Sequence, residues 1–419
     1  MILYKGKILE NKYQKELLDS LYQDCLTTLQ DKKPLSIRKV ILACDAIYQK
    51  AIQGEYDEIA LPLLKMADIS YERFLEMAKL FSKEGLEYKC KIELGENYDS
   101  LQPLKEGTKR YRSPLGILFH IAAGNVDGLP AYSVVEGLLA GNINILKLPT
   151  GDSGLSIKLL NELILTEPEL KDYIYVFDVP STEIDTLQVF ADIADGIVVW
   201  GGDLAVDAAR RMGGVTTKII PWGHKLSFAY ATLEATDQQL YELAVHICKT
   251  NQVLCSSCQG IFIDTEEGFE QEEFANRFFT QFLKANQDCR KADLGMRGKN
   301  MIQIYNEKLE NPNKKILCKD GISIFLEDDA ELTLSMMFRN VWIKRLSRKN
   351  ILTLKKHKNH LQTCALLCGE QDVEELSRIL ATAGVVRITK GDMARMYNGE
   401  AHDGVYPLQE YTRIVEVDV

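Results

Sequence analysis

Gly116-Ile117-Leu118-Phe119-His120-Ile121-Ala122-Ala123, followed by Gly124-Asn125-Val126-Asp127-Gly128-Leu129-Pro130, decides the fold. The first half is a near-continuous apolar run, which reads as a strand buried on both faces. The second half is a polar, glycine-containing turn that opens a helix over 131–140, closed by Gly141. Asn144-Ile145-Leu146-Lys147-Leu148-Pro149 is a second such strand, and Asp152 or Ser153 can cap a helix over 155–165. The alternation continues, with strands at 173–178, 196–200 and 217–221 and helices at 182–191 and 204–212. This pattern predicts a doubly wound α/β domain with a parallel sheet covered on both faces. Ligands of such sheets bind at the carboxyl ends of the strands, which singles out Gly124-Asn125, Lys147 and Gly201-Gly202. No G-x-G-x-x-G is present. The pair Gly201-Gly202 still lets a pyrophosphate approach the following helix, and it equally suits a plain tight turn.

Working outward, residues 1–105 repeat apolar positions at three and four over 12–22, 37–52 and 61–81, the pattern of a helical N-terminal lobe. Residues 106–228 make the domain above. Residues 229–395 read as a second α/β domain, with helices over 237–249, 271–286 and 373–383. No Pro-, Gly- or Ser-rich linker separates the two domains, so tight docking is expected. The tail, 396–419, ends in Arg413-Ile414-Val415-Glu416-Val417-Asp418-Val419, an alternation that suits an edge strand shared with a second copy, hence a homo-oligomer.

Composition narrows the function. A chain of 419 residues is too long for one ordinary core. Hydrophobic residues at 46% and charged residues at 26% are the balance of a globular protein. A net charge of −10 argues against a nucleic-acid partner. The N-terminus turns charged too soon for a signal peptide, and apolar runs such as 115–123 are far too short for a membrane span. A cytoplasmic protein is expected, with its ten cysteines mostly reduced.

The chemistry concentrates in Thr250-Asn251-Gln252-Val253-Leu254-Cys255-Ser256-Ser257-Cys258-Gln259-Gly260, a polar turn before the short apolar strand Ile261-Phe262-Ile263. A Cys255 thiolate can attack an acyl carbon, and the N–H groups of Cys255 and Ser256 can stabilise the oxyanion. Two buried structural cysteines would give the same residues, and Cys-x-x-Cys can put either thiol in a site. With Cys364 and Cys368, the pair also supplies four thiolates for a zinc-bound, non-enzymatic protein, although the spacer is longer than in zinc fingers.

Three blocks together resemble the aldehyde dehydrogenase superfamily. They are Ser113-Pro114-Leu115-Gly116-Ile117 through Gly124-Asn125 to Ala140-Gly141-Asn142 and Lys147-Leu148-Pro149; Val199-Trp200-Gly201-Gly202; and Gln252-Val253-Leu254-Cys255-Ser256-Ser257. The Gln-x-x-Cys-Ser-Ser run, Gly223-His224-Lys225 and the strand from His120 to Asn125 resemble its luminescence-type fatty acyl-CoA reductase branch. The resemblance covers 110–265 and thins towards 390. It implies two doubly wound domains and reduction of a long-chain acyl-CoA to an aldehyde through an acyl-cysteine thioester. Cys255 would be the nucleophile and Asn125 an oxyanion donor. Lys147, Thr150, Gly201 and Gly202 would hold the cofactor. Thr150 stands where relatives often carry an acid for the ribose hydroxyls, which favours NADPH over NADH. Acid-forming relatives carry a glutamate where this chain has Pro221, so hydrolysis of the thioester is disfavoured. An acyl phosphate or a short-chain thioester is the alternative substrate, and a partner protein that transfers the acyl group is implied by the luminescence system. His120 and His224 read as hydrogen-bonded structural residues or as acid–base groups, and His402 as a loop residue near the acyl or CoA site. The basic run from Lys344 to Lys358 reads as a solvated face or as a contact for CoA phosphates.

Overall fold

The computed structural model describes residues 1–418 apart from 32–33, 67–69, 99, 101, 106, 125–127, 292–293 and 394–397. The chain divides into two units, residues 1–223 with 397–419, and residues 224–396.

In the first unit, among the described residues, a seven-stranded sheet runs in the order Lys7–Leu9, Ile2–Tyr4, Ile174–Phe177, Ile143–Lys147, Ile117–Ile121, Gly196–Trp200, Lys218–Trp222. The last five strands pair in parallel. Their continuous apolar runs are explained by burial on both faces. Phe119, Ile145, Tyr175 and Val198 are all 0% exposed, each worth roughly 1.5–3 kcal/mol of burial. The helices Leu129–Leu139, Leu155–Thr166, Ile184–Ile193 and Asp203–Met212 follow the strands as the alternation predicts. The helix Leu155–Thr166 is preceded by a left-handed Gly154 at the cap position. Neither expected capping residue occupies that position; instead Asp152 accepts from the Gly154 N–H and Ser153 from the Leu155 N–H.

Among the described residues, the N-terminal segment carries the helices Gln14–Asp31, Ile37–Ile52, Asp57–Met66, Tyr71–Ala78 and Lys83–Leu94, but residues 2–9 depart from the helical reading. They form an antiparallel hairpin, and Ile2–Tyr4 pairs with Ile174–Phe177 at the sheet edge. Strands of three residues are too short to show a period. A buried ion cluster ties the helices to the tail. Lys89 Nζ lies 2.6 Å from Glu93 and 2.9 Å from Glu136, and Glu93 also accepts from the Leu408 N–H. The tail strand Thr412–Asp418 is the edge of a separate three-stranded sheet, beside Thr108–Pro114.

In the second unit, among the described residues, the strand order is Ile316–Lys319, Ile322–Glu327, Asn340–Arg345, Cys258–Ile263, Leu226–Ala231, Leu361–Leu367, Arg387–Thr389. Only the first pairing is antiparallel. Cys258–Ile263 is the middle strand, wholly buried, and the cysteine turn leads into its amino end. Among the described residues no helix is long and apolar enough to cross a membrane.

Candidate active site

The cysteine turn is built from both directions along the chain. The helix Asp237–Thr250 starts with a capping box between Thr236 and Gln239 and stops at Asn251, which turns left-handed at φ 47°. Gln252 follows at φ 63°. Asparagine tolerates this region, whereas glutamine pays for it. Facing them, Met337, Phe338 and Arg339 are also left-handed, at φ 56°, 49° and 69°. Five left-handed residues therefore meet at one place, four of them of types that this region strains, a concentration found at functional sites.

Gln252 holds them there. Its buried Nε2 donates to the carbonyls of Cys258 (3.0 Å) and Asn340 (2.9 Å) and to Ser335 Oγ (3.0 Å). Its Oε1 accepts from the N–H groups of Arg339 (2.9 Å) and Asn340 (3.2 Å). The Phe338 N–H donates to the Asn251 carbonyl at 3.0 Å. Gln259 adds bonds from its Nε2 to the carbonyls of Gln252 and Ser257. Within the turn, Ser257 Oγ accepts from the Leu254 N–H, and Ser227 Oγ donates to the Cys255 carbonyl at 2.7 Å. The sequence reading named Cys255 as a candidate but missed this scaffold. The run Met337-Phe338-Arg339 carries no local signal for left-handed backbone.

The two thiols of the turn are not equivalent. Cys255 is exposed and Cys258 is 0% exposed. Burial pushes the Cys258 thiol up to about 12, and its S–H donates to the Gly260 carbonyl. A thiol held neutral in the core is a poor nucleophile, so the geometry favours Cys255. Cys364 is likewise buried and raised. Among the described residues no three His, Cys, Asp or Glu side chains are grouped to hold a metal ion.

The residues expected to hold a cofactor lie at the carboxyl ends of the first unit's strands. Lys147 ends the strand Ile143–Lys147, is 3% exposed, and donates to Ser181 Oγ at 3.0 Å. Burial lowers its ammonium, and Asp178 acts in the opposite direction. Thr150 is exposed and lines a cleft of about 580 Å³ with Asp178, Glu183, Lys12 and Lys15. The two lysines come from the N-terminal segment, in which the sequence showed no chemistry. Gly201 and Gly202 follow the strand Gly196–Trp200 and start the helix Asp203–Met212. A Cβ at Gly201 would lie 2.9 Å from that of Ala205, so the turn needs glycine there. A Cβ at Gly202 would meet nothing within 4 Å, which leaves room for a bulky group at the helix start. These features fit a dinucleotide phosphate. Asn125 lies outside the described residues.

The histidines resolve into different settings. His120 is 0% exposed, with Nδ1 2.8 Å from Ser133 Oγ and Nε2 3.0 Å from Asn144 Oδ1. Asn144 Oδ1 can only accept, so Nε2 carries the proton and the Ser133 hydroxyl donates to Nδ1. Burial lowers His120 to about 4, and it stays neutral. The His224 carbonyl accepts from His360 Nδ1. The His402 ring packs edge-on to Trp200 and Trp222, at 5.1 and 4.9 Å. Pro221 is exposed in the strand Lys218–Trp222. Much of the basic run is ion-paired. Lys344 is buried against Glu327 and Asp329, and Arg348 meets Asp264, Asp372 and Glu375.

Two mainly parallel-sheet units, with a cysteine turn leading into the middle strand of one of them, give the chain an aldehyde-dehydrogenase-like fold. The fold is similar to glyceraldehyde-3-phosphate dehydrogenase GapN from Methanocaldococcus jannaschii complexed with NADP, with a TM-score of 0.70 at 14% identity, over 98% of this chain and 95% of that one. The chain belongs to the acyl-CoA reductase (LuxC) family, which it matches over residues 34–414. It is 23% identical over 344 residues to the long-chain acyl-protein thioester reductase of Vibrio harveyi, covering 80% of this chain and 71% of that one. It is 25% identical over 350 residues to the enzyme of the same name from Photobacterium phosphoreum, covering 80% and 70%.

Proposed function

We propose that this chain reduces a long-chain fatty acyl-CoA to the aldehyde, with Cys255 as nucleophile and NADPH as reductant. The observation that carries this reading is the contrast between Cys255, exposed on a braced and strained turn, and Cys258, buried and protonated.

The Cys255 thiolate adds to the thioester carbonyl. Backbone N–H groups of the turn, with Asn125 in the role the family resemblance implies, hold the oxyanion. The carbon–sulfur bond to CoA then breaks, and CoA leaves as a thiol after taking a proton. The acyl group remains on Cys255 as a thioester. At the position where acid-forming relatives keep a glutamate, Pro221 supplies no base to activate water. When bound, the nicotinamide supplies the hydride that makes the aldehyde. Lys147, Thr150, Gly201 and Gly202 would hold it, and Lys12 and Lys15 at the same cleft favour a 2′-phosphate. Glu183 in that cleft already accepts from Gln14 Nε2. The names of the relatives specify an acyl-protein thioester, which supports delivery by a partner protein. The edge strand Thr412–Asp418 is our candidate for homo-oligomer contact.

The test is anaerobic incubation with acyl-CoA, intact-mass detection, and NADPH oxidation read by absorbance. The expected result is an acyl adduct and NADPH consumption, both abolished in Cys255→Ala and retained in Cys258→Ala. An adduct that follows Cys258, or none with any acyl-CoA, would overturn the assignment. Reaction only with an acyl phosphate would move the substrate and leave the nucleophile.

A further inference from the structure

Outside the cysteine turn, the second unit holds a cleft of about 260 Å³ whose walls include Lys291, Arg297, Asp320 and Arg339. Several chain segments meet there. They are the end of the helix Gly268–Asp288, the first turn of the helix Leu294–Glu310, and the tight turn Asp320-Gly321 between the antiparallel strands Ile316–Lys319 and Ile322–Glu327. Three cations line the cleft with a single carboxylate, that of the exposed Asp320, so its charge is positive. Among the described residues, no carboxylate pairs with any of the three cations. The turn also makes room for one of them. Gly321 sits at φ +83°, and a Cβ there would lie 2.6 Å from Arg297 Nε. Any other side chain would strain the turn and push the Arg297 guanidinium aside.

Arg339 is the decisive member. It is 3% exposed. Its guanidinium donates to the carbonyls of Cys248 and Arg290 and to Asn286 Oδ1, all of them neutral acceptors. Its Nε is buried and meets no acceptor among the described residues. A buried charge is costly unless an opposite charge meets it. The same unit keeps that rule at Lys344, which is buried with Glu327 at 2.9 Å and Asp329 at 2.7 Å. Arg339 departs from it, and the cleft is the side from which an anion can reach the guanidinium.

We propose that this cleft is a phosphate site. A phosphate group enters beside Lys291 and Arg297 and supplies Arg339 with the negative charge that its protein neighbours do not. Guanidinium groups present forked N–H donors that match phosphate oxygens, and the lysine adds a point charge. The cleft is smaller than the roughly 300–1,000 Å³ of pockets that enclose drug-sized molecules, so it takes a phosphate group and not a whole cofactor. Two sources share this chemistry, inorganic phosphate and a nucleotide phosphomonoester such as the 3′-phosphate of coenzyme A. The second source rests on the acyl-CoA reading above, and the site itself does not.

The experiment titrates the full-length protein with sodium phosphate and, separately, with adenosine 3′,5′-bisphosphate. Binding is followed by isothermal calorimetry at an ionic strength held constant with sodium chloride. The cleft at Thr150 also carries lysines, so two double variants are compared. We expect saturable phosphate binding that is retained in Lys12→Ala with Lys15→Ala. It should weaken about tenfold or more in Lys291→Gln with Arg297→Gln, with the circular dichroism of that variant unchanged. Tighter binding of the bisphosphate, lost in the same variant, would identify a nucleotide as the source. Equal or weaker binding of the bisphosphate would identify phosphate itself. Binding that follows Lys12 and Lys15 instead, or no saturable binding of either anion, would overturn the site. Neither titration involves Cys255, so that failure would leave the acyl-transfer reading untouched.

Discussion

Replacing Gln252 by leucine should unfasten the cysteine turn. Leucine fills a similar volume and makes no hydrogen bond. The glutamine side chain now serves four backbone groups, the carbonyls of Cys258 and Asn340 and the N–H groups of Arg339 and Asn340. Its fifth partner, Ser335 Oγ, keeps a bond to Gln259 Oε1 at 2.9 Å. The Asn340 N–H keeps a bond to the Met337 carbonyl at 3.1 Å, and each remaining buried group left unmet costs about 1–3 kcal/mol. Water entering the site recovers part of this, so we expect a net loss of roughly 4 kcal/mol. The scaffold also sustains the left-handed residues at 251–252 and 337–339, at about 1–3 kcal/mol each. Released, they should relax and carry Cys255 away from its position. Urea unfolding followed by circular dichroism gives the first quantity. Acylation of Cys255 by acyl-CoA gives the second, and it should slow about tenfold or more, since misplacement of an attacking atom by an ångström is enough. A loss below about 1 kcal/mol, together with unchanged acylation, would refute the scaffold.

His120 should make the first unit acid-sensitive. Its pKa of about 4 in the folded chain lies below the unfolded value of 6.5. The unfolded state thus binds the extra proton first, and stability is full above pH 6.5 and falls towards pH 4, by about 3 kcal/mol in all. A histidine Cε1 resonance that is lost in His120→Gln should titrate below pH 5, and titration near 6.5 would sink this. Lys89→Met leaves the Glu93 and Glu136 carboxylates buried without their cation and should cost about 3–5 kcal/mol. Burial already raises Glu93, and without Lys89 its folded pKa rises further. The deficit should then be larger at pH 8 than at pH 5, and an equal loss at both would count against the cluster. Lys12→Ala with Lys15→Ala should raise the KM for NADPH about fivefold and leave that for NADH nearly unchanged. Equal changes for both cofactors would remove the 2′-phosphate from this cleft.

The fold was legible where the residues repeat. The strand at 196–200 was read to the residue, and its neighbours to within a residue or two, because burial on both faces forces unbroken apolar runs. Cys255 was legible as a candidate because a thiol among small polar residues is chemically conspicuous. What was hidden depends on chain segments far apart. The hairpin over residues 2–9 takes its meaning from Ile174–Phe177. The cleft borrows Lys12 and Lys15 from a helical segment that looks chemically silent. Gln252 reads as one polar residue in a turn until strand pairing supplies its partners. His120 shows the converse, since a histidine within an apolar strand implied the hydrogen-bonded setting that Ser133 and Asn144 supply.

The brace beneath Cys255 also sets an order of assembly. Gln252 and the Arg339 N–H it holds are separated by 87 positions in the chain. A contact that distant closes only after a large entropic cost has been met, here by pairing of Cys258–Ile263 with Asn340–Arg345. During synthesis the cysteine emerges long before its support does. Until the later strand arrives, nothing holds residues 251–252 in their left-handed form, and the thiol rides on a slack connection. The braced turn is therefore a late product of folding, and a chain cut short before residue 337 carries Cys255 without its support.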